Sequence, residues 1–381
     1  MSLLRKELFE IPEGIIYLDG NSLGPLPKAV KPRLEQVISE EWGDQLIRAW
    51  NQAGWMEQPQ RVGNLIAPLI GAPLGSVMTG DTLSLKVYQA LSAALEMRPE
   101  RKVVLSDSGN FPTDLYMAQG LLHSLGHDYE LRIVEPEQIP ASINENVAVV
   151  MLTQVDYRSG RMHDMQEITQ QVHSSGAVMI WDLAHSAGAF PVDIEESSCE
   201  FAVGCTYKYL NGGPGAPAFI YIRPDIIEQV RPCLSGWMGH DSPFGFELGY
   251  RPSPSIERMR VGTPPVLQMS ALEAALSAWE NVDMQALRQA SVLLSEVFIQ
   301  QVENRCPQLT LVSPRDSAIR GSQVSFAFEE GYAVVQALAM HGVIGDFRTP
   351  NIIRFGFTPL YLDEKDIITA VDILASILDT N

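Results

Sequence analysis

Five short apolar runs without polar interruption constrain this chain more than any other feature: Val103-Val104-Leu105, Val147 to Leu152, Val178 to Trp181, Phe201-Ala202-Val203 and Phe219-Ile220-Tyr221-Ile222. None alternates with polar residues, so each reads as a strand covered on both faces. Between several of them, over Leu83 to Met97 and Asp164 to His173, apolar residues recur at spacings of three and four, the pattern of an amphipathic helix. Buried strands alternating with such helices predict an α/β fold, a mostly parallel sheet flanked by helices. Ligands in such sheets bind beyond the carboxyl ends of the strands.

After Pro265 the texture changes. Helical segments at Leu267 to Trp279 and Met284 to Glu303 lead to strands at Leu309 to Val312 and Val324 to Phe328. A helix over Tyr332 to His341, a strand over Ile352 to Phe357 and a last helix from Asp363 follow. Strands with helices packed on one side suggest a smaller α+β domain. A chain of 381 residues is long enough for two such units. The expected division is a large domain over 45–265 and a small one from 1–44 and 266–381. No internal repeat or low-complexity tract interrupts them.

Charge narrows the function. Lys and Arg number 27 against 46 Asp and Glu, a formal net charge of −19. Such a chain repels phosphate backbones and anionic membrane surfaces, so nucleic-acid and membrane roles are not expected. Cys199, Cys205, Cys233 and Cys306 show neither CxxC nor zinc spacing and read as reduced core thiols of a cytoplasmic protein. Residues Met1 to Glu7 lack an apolar core of signal-peptide length. No metal site stands out; His123 and His127 have helical spacing, but Gly126 lies between them and no acidic neighbour completes a zinc pair.

The chemistry concentrates near two strand ends. Asp182 closes the run ending in Trp181, and Lys208 follows it by 26 residues, just past the run ending in Val203. His185 sits among small residues in Ala184-His185-Ser186-Ala187-Gly188, and Tyr207 precedes the lysine. Together these would bring a carboxylate, an imidazole, a phenol and an amine to one sheet edge. Pyridoxal 5′-phosphate (PLP) needs that set: a lysine amine to form a Schiff base with its aldehyde, and an acid to keep its ring nitrogen protonated. The blander readings are a helix cap for Asp182, a core residue for His185 and a solvated charge for Lys208. Gly80-Asp81-Thr82-Leu83-Ser84 opens a helical pattern and could cradle a phosphate or simply cap the helix. Arg354, within Ile352-Ile353-Arg354-Phe355, requires a carboxylate, either a protein acid or that of an amino-acid substrate.

At these residues the chain closely resembles the kynureninase family of PLP enzymes, which have the aspartate-aminotransferase fold (fold type I). The resemblance is carried by Tyr17 to Pro25, Leu46 to Asn51 with Gly54-Trp55, Ser108 to Tyr116, Asp182 to Asp193, Ala202 to Ala218, Gly236 to His240, Arg260 to Pro265 and Arg348 to Tyr361. It implies hydrolytic Cβ–Cγ cleavage of L-kynurenine, or 3-hydroxykynurenine, to an anthranilate and L-alanine. It further implies that Lys208 carries the cofactor, Asp182 holds the pyridinium nitrogen, His185 lies near the ring and Phe111 stacks on it. Thr82, Leu83, Asp114, Thr153 and Tyr207 would complete the pocket, with Tyr207 also returning protons. Trp237 and Thr263 would reach a partner's phosphate site, making a homodimer. Arg354 would clamp the substrate carboxylate, and Trp55 and Asn21 would border its aryl end. Two positions depart from the family. Leu83 replaces a hydroxyl residue, and Leu362 replaces an asparagine. The alternatives are another PLP β-lyase of the cysteine desulfurase kind, which needs a mobile nucleophilic cysteine, or a PLP-binding relative without turnover.

Overall fold

All five apolar runs become strands of a seven-stranded sheet in the computed structural model, which describes residues 3–379. Its strands are β1 (Val77–Thr79), β2 (Val103–Asp107), β3 (Glu130–Val134), β4 (Val147–Thr153), β5 (Val178–Asp182), β6 (Phe201–Gly204) and β7 (Phe219–Ile222). They lie in the order β1-β7-β6-β5-β4-β2-β3. Neighbours from β6 to β3 are parallel, whereas β7 runs antiparallel to both β6 and β1. No crossover helix separates β6 from β7, and a Gly- and Pro-rich turn reverses the chain there instead.

Two-sided burial accounts for the uninterrupted runs. Val178 and Ile180 of β5 join one apolar cluster, while Met179 and Trp181 join another on the opposite face. The first is closed by α3 (Leu83–Glu96) and α4 (Pro112–Leu125). The second is closed by α2 (Gln58–Ile66) and α5 (Met165–Ser174). Each aliphatic side chain so buried contributes about 1.5–3 kcal/mol.

Downstream lie α6 (Val266–Ala275), α7 (Met284–Arg305), α8 (Gly331–Met340) and α9 (Glu364–Asp379). A four-stranded antiparallel sheet in the order β8-β9-β11-β10 lies among them: β8 (Thr310–Leu311), β9 (Gln323–Ala327), β10 (Asp346–Arg348) and β11 (Ile352–Gly356). The amino-terminal segment runs beside this unit, Ile16–Tyr17 pairing with Val343–Ile344. Helix α6 packs against α2 and α1 (Val30–Gln36). The apolar core continues without a break from Val62 and Trp181 to Phe326 and Leu374.

Candidate active site

Strand register brings the predicted residues to one edge. Thr153, Asp182 and Val203 are consecutive neighbours across β4, β5 and β6. The turn after β6 then places Lys208 beside the carboxyl end of β5. That turn is held by Gly212 N–H to the Thr206 carbonyl at 2.8 Å and by the Thr206 hydroxyl to the Pro217 carbonyl at 2.7 Å. The segment around Gly24 presses on it: Gly24 N–H donates to the Tyr207 carbonyl at 2.8 Å, and any Cβ at position 24 would meet the Lys208 carbonyl at 2.3 Å.

Lys208 Nζ lies 2.8 Å from His185 Nε2. The other ring nitrogen, Nδ1, is buried without a partner. Burial, and then the Lys208 charge, hold His185 well below the usual imidazole range, so the ring is neutral. Asp182 is 2% exposed, and its Oδ1 accepts from the Ala184 N–H at 2.8 Å. Burial pushes its carboxyl up to about 6 against the pull of Lys208. Asp114, at the start of α4, faces it and is driven far above the carboxylate range, first by burial and then by the Asp182 charge. Asp114 therefore carries a proton while Asp182 carries the charge near neutrality. Thr153 steadies Asp182 from β4, its hydroxyl 3.5 Å from the Asp182 carbonyl. The Tyr207 phenol is raised, chiefly by burial, and stays protonated.

Phe111 precedes α4 and is 42% exposed, its ring edge-on to Tyr157 at 5.2 Å. Thr82 is the N-cap of α3, accepting from the Leu85 N–H at 3.4 Å, so the capping reading of this segment holds. The same cap leaves the first N–H groups of the 14-residue α3, beginning with Leu83, free for an anion. Arg354 has a protein acid as partner: Asp346 binds its Nε and Nη2. Asn21 is buried beside Arg354's strand, donating to Gln323 Oε1 at 3.3 Å, with its own Oδ1 unpartnered.

Other expected residues stand outside this group. Trp55 packs with Val37 and Ala49, its indole N–H donating to Glu41 at 2.7 Å. Trp237 and Thr263 are exposed, on two segments that meet where Gly236 lies against the Val261 backbone with no room for a Cβ. Helix α4 ends at Leu125, before His127. Of the four cysteines, Cys233 is exposed rather than a core thiol, since it falls on the surface segment after β7. Although exposed at its edge, Cys233 neighbours Ser92 on α3, and the partial loss of hydration there raises its thiol, the opposite of an activated nucleophile.

Sequence reasoning missed Asp107, which accepts from His163 at 2.6 Å with Arg161 at 3.6 Å, and Asp346. Asp346 had a faint signal. Charged residues at 346 and 348, two apart as on one strand face, precede the run holding Arg354.

Comparison with known proteins is decisive at this point. The chain is 51% identical to the kynureninase of Pseudomonas fluorescens over 98% of its own length and 92% of that protein's. It is 49% identical to that of Burkholderia pseudomallei strain K96243, with the same coverage. The chain belongs to the kynureninase family. The family model for the kynureninase C-terminal domain matches residues 287–374. Among solved structures, an apo cysteine desulfurase from Thermococcus onnurineus NA1 superposes with a TM-score of 0.84 at 17% identity, covering 100% of each chain. A C-DES mutant with glycine covalently linked to its PLP cofactor gives 0.82 at 18% identity, over 97% of this chain and 98% of that one. At such identity these two neighbours show the fold alone. It is the expected α/β, fold type I architecture with a smaller second unit, and kynureninases share it with desulfurases.

Proposed function

We propose that the protein is a PLP-dependent kynureninase, hydrolysing the Cβ–Cγ bond of L-kynurenine to anthranilate and L-alanine, with 3-hydroxykynurenine as a possible second substrate. The observation that carries this reading is the convergence at one strand edge of the Lys208 amine, 2.8 Å from His185, and the buried Asp182 carboxylate at the end of β5, with Asp114 protonated against it. A buried carboxylate at a strand end favours an N–H donor opposite it, and a pyridinium supplies one in a charge-assisted bond worth about 1.5–3 kcal/mol. The unpartnered His185 Nδ1 and Asp114 Oδ2 leave polar capacity for the same guest.

Each residue then has a task. PLP, when bound, supplies the electron sink that makes Cα and Cβ protons acidic. Lys208, near neutral His185, holds the group covalently and, once released, carries the α-proton. Tyr207, protonated and adjacent, returns a proton to the alanine fragment. Arg354 holds the substrate carboxylate, and the α3 N-terminus, from Thr82 and Leu83, receives the phosphate. Trp237 and Thr263, both exposed, serve the partner's phosphate in a homodimer. The reaction takes place in the cytoplasm, where the four unpaired cysteines stay reduced. Among the described residues no helix is long and apolar enough to cross a membrane.

A visible spectrum of the purified protein, followed by L-kynurenine addition with anthranilate fluorescence as readout, tests the reading. In Lys208→Ala the fluorescence should vanish, and borohydride should no longer fix the chromophore to the chain. A colourless wild type refutes the cofactor, and a yellow protein that releases no aryl amine favours a different lyase.

A further inference from the structure

Arg354 is 1% exposed, and nearly all its donors are taken. In the antiparallel register of β10 and β11 it stands directly opposite Asp346. Asp346 Oδ1 accepts from Nε at 2.6 Å and Oδ2 from Nη2. The Ser22 hydroxyl accepts from Nη2 at 3.0 Å and donates its own proton to Asp346 Oδ2 at 2.5 Å. Nη1 donates to the Tyr157 carbonyl. A guanidinium has five N–H groups, and these contacts leave one of them spare. A carboxylate bound side by side needs two.

One of the four contacts must therefore yield. Releasing Asp346 would leave a buried carboxylate with only the more exposed Arg348, at 2.9 Å, as its cation. Releasing Ser22 breaks one bond from the guanidinium to an uncharged acceptor, and the hydroxyl keeps its bond to Asp346. The second exchange is the less costly. We propose that Asp346 is a positioning residue for substrate recognition. It fixes the Nε–Nη2 edge of Arg354, so that the Nη1–Nη2 edge takes the amino-acid carboxylate in exchange for the Ser22 hydroxyl. This rests on the reading of Arg354 as the clamp.

The test uses the holoenzyme and spectral titration with L-alanine, which has the carboxylate, and L-alaninamide, which does not. Asp346→Asn keeps the shape and loses the charge. It should raise the dissociation constant of alanine by roughly ten- to a hundredfold, the worth of one hydrogen bond to a charged group, and leave alaninamide unchanged. The KM for kynurenine should rise in parallel, with kcat moving less. Unchanged alanine binding, or equal weakening of both ligands, overturns the proposal. Ser22→Ala removes the group to be displaced and should tighten alanine binding by about two- to tenfold; weakening overturns the exchange. Arg354→Gln separates the two levels. If it leaves alanine binding intact, the clamp reading itself fails. If it weakens alanine, adding Asp346→Asn should cause no further loss, and a further loss shows that Asp346 does not act through Arg354.

Discussion

Asp182 and Asp114 divide one proton between two buried carboxyl groups, and that division is what would suit the strand edge to the cationic ring proposed for it. The same physics acts at Asp19, where it can be measured apart from catalysis. Burial, and then the neighbouring Asp346, push the Asp19 carboxyl up to about 7 from an ordinary 3.8. Between those values the folded protein holds more protons than the unfolded chain, so stability falls as pH rises. Asp19 thus contributes stability fully below the lower value, and the contribution is lost as pH passes the upper one. The loss across that window is about 2–4 kcal/mol. Denaturant titrations of wild type and Asp19→Asn should diverge in slope over this range; parallel pH profiles would remove the assignment. Lys208, Asp182 and His185 were legible because each closes or follows an uninterrupted apolar run. The Asp107–His163 pair was not, and Asp346 had only the faint signal of its spacing from Arg348. Their partners come from other segments, and local patterning carries no record of what packs across a sheet.

At the scale of elements, most of the buried strands and long helices were readable from periodicity, their ends agreeing to within a few residues, but α4 (Pro112–Leu125) and α2 were not among them. Strands β1 and β3 escaped notice for different reasons. The first has only three residues, and the second is an edge strand carrying Glu130 and Arg132. The reversal at β7 was equally hidden, since strand direction depends on the connection rather than on the run itself. One interaction ties two such elements together. Lys86, fully buried on α3, donates to Asp81 and Gln89 at 3.0 Å and to the Met259 carbonyl at 3.1 Å. It joins the turn before α3, the proposed phosphate site, to the segment that leads to Thr263. Lys86→Met should cost about 2–4 kcal/mol by urea denaturation, since Asp81 loses its ion pair and Gln89 and Met259 an amine donor. It should also weaken PLP affinity measured by equilibrium dialysis. A variant with wild-type stability would show that the three contacts contribute little.

For the molecule as a whole, Trp237, Phe244, Phe246 and Leu248 form an exposed apolar stretch, its three rings in edge contact, as expected of a face covered by a second copy. If these residues complete the partner's site, two defective chains should repair each other. Mixing Lys208→Ala with a Trp237→Ala/Thr263→Ala chain, unfolded and refolded together, should restore about a quarter of wild-type activity through one intact site per mixed dimer. No recovery would place the phosphate contacts within one chain. The general architecture was evident from the order of runs and helices, but this face was visible only through the resemblance, because exposure cannot be read from a lone chain's pattern. The stretch from Tyr17 to Pro25 reaches both ends of the candidate site. Its Gly24 rests on the lysine turn while its Ser22, two residues earlier, touches the guanidinium. If Lys208 and Arg354 have the roles proposed, that short span acts as a calliper, fixing how far apart the amine and the carboxylate of a substrate must lie. A kynurenine homologue with one methylene inserted between those two groups should release no aryl amine, whatever its ring carries.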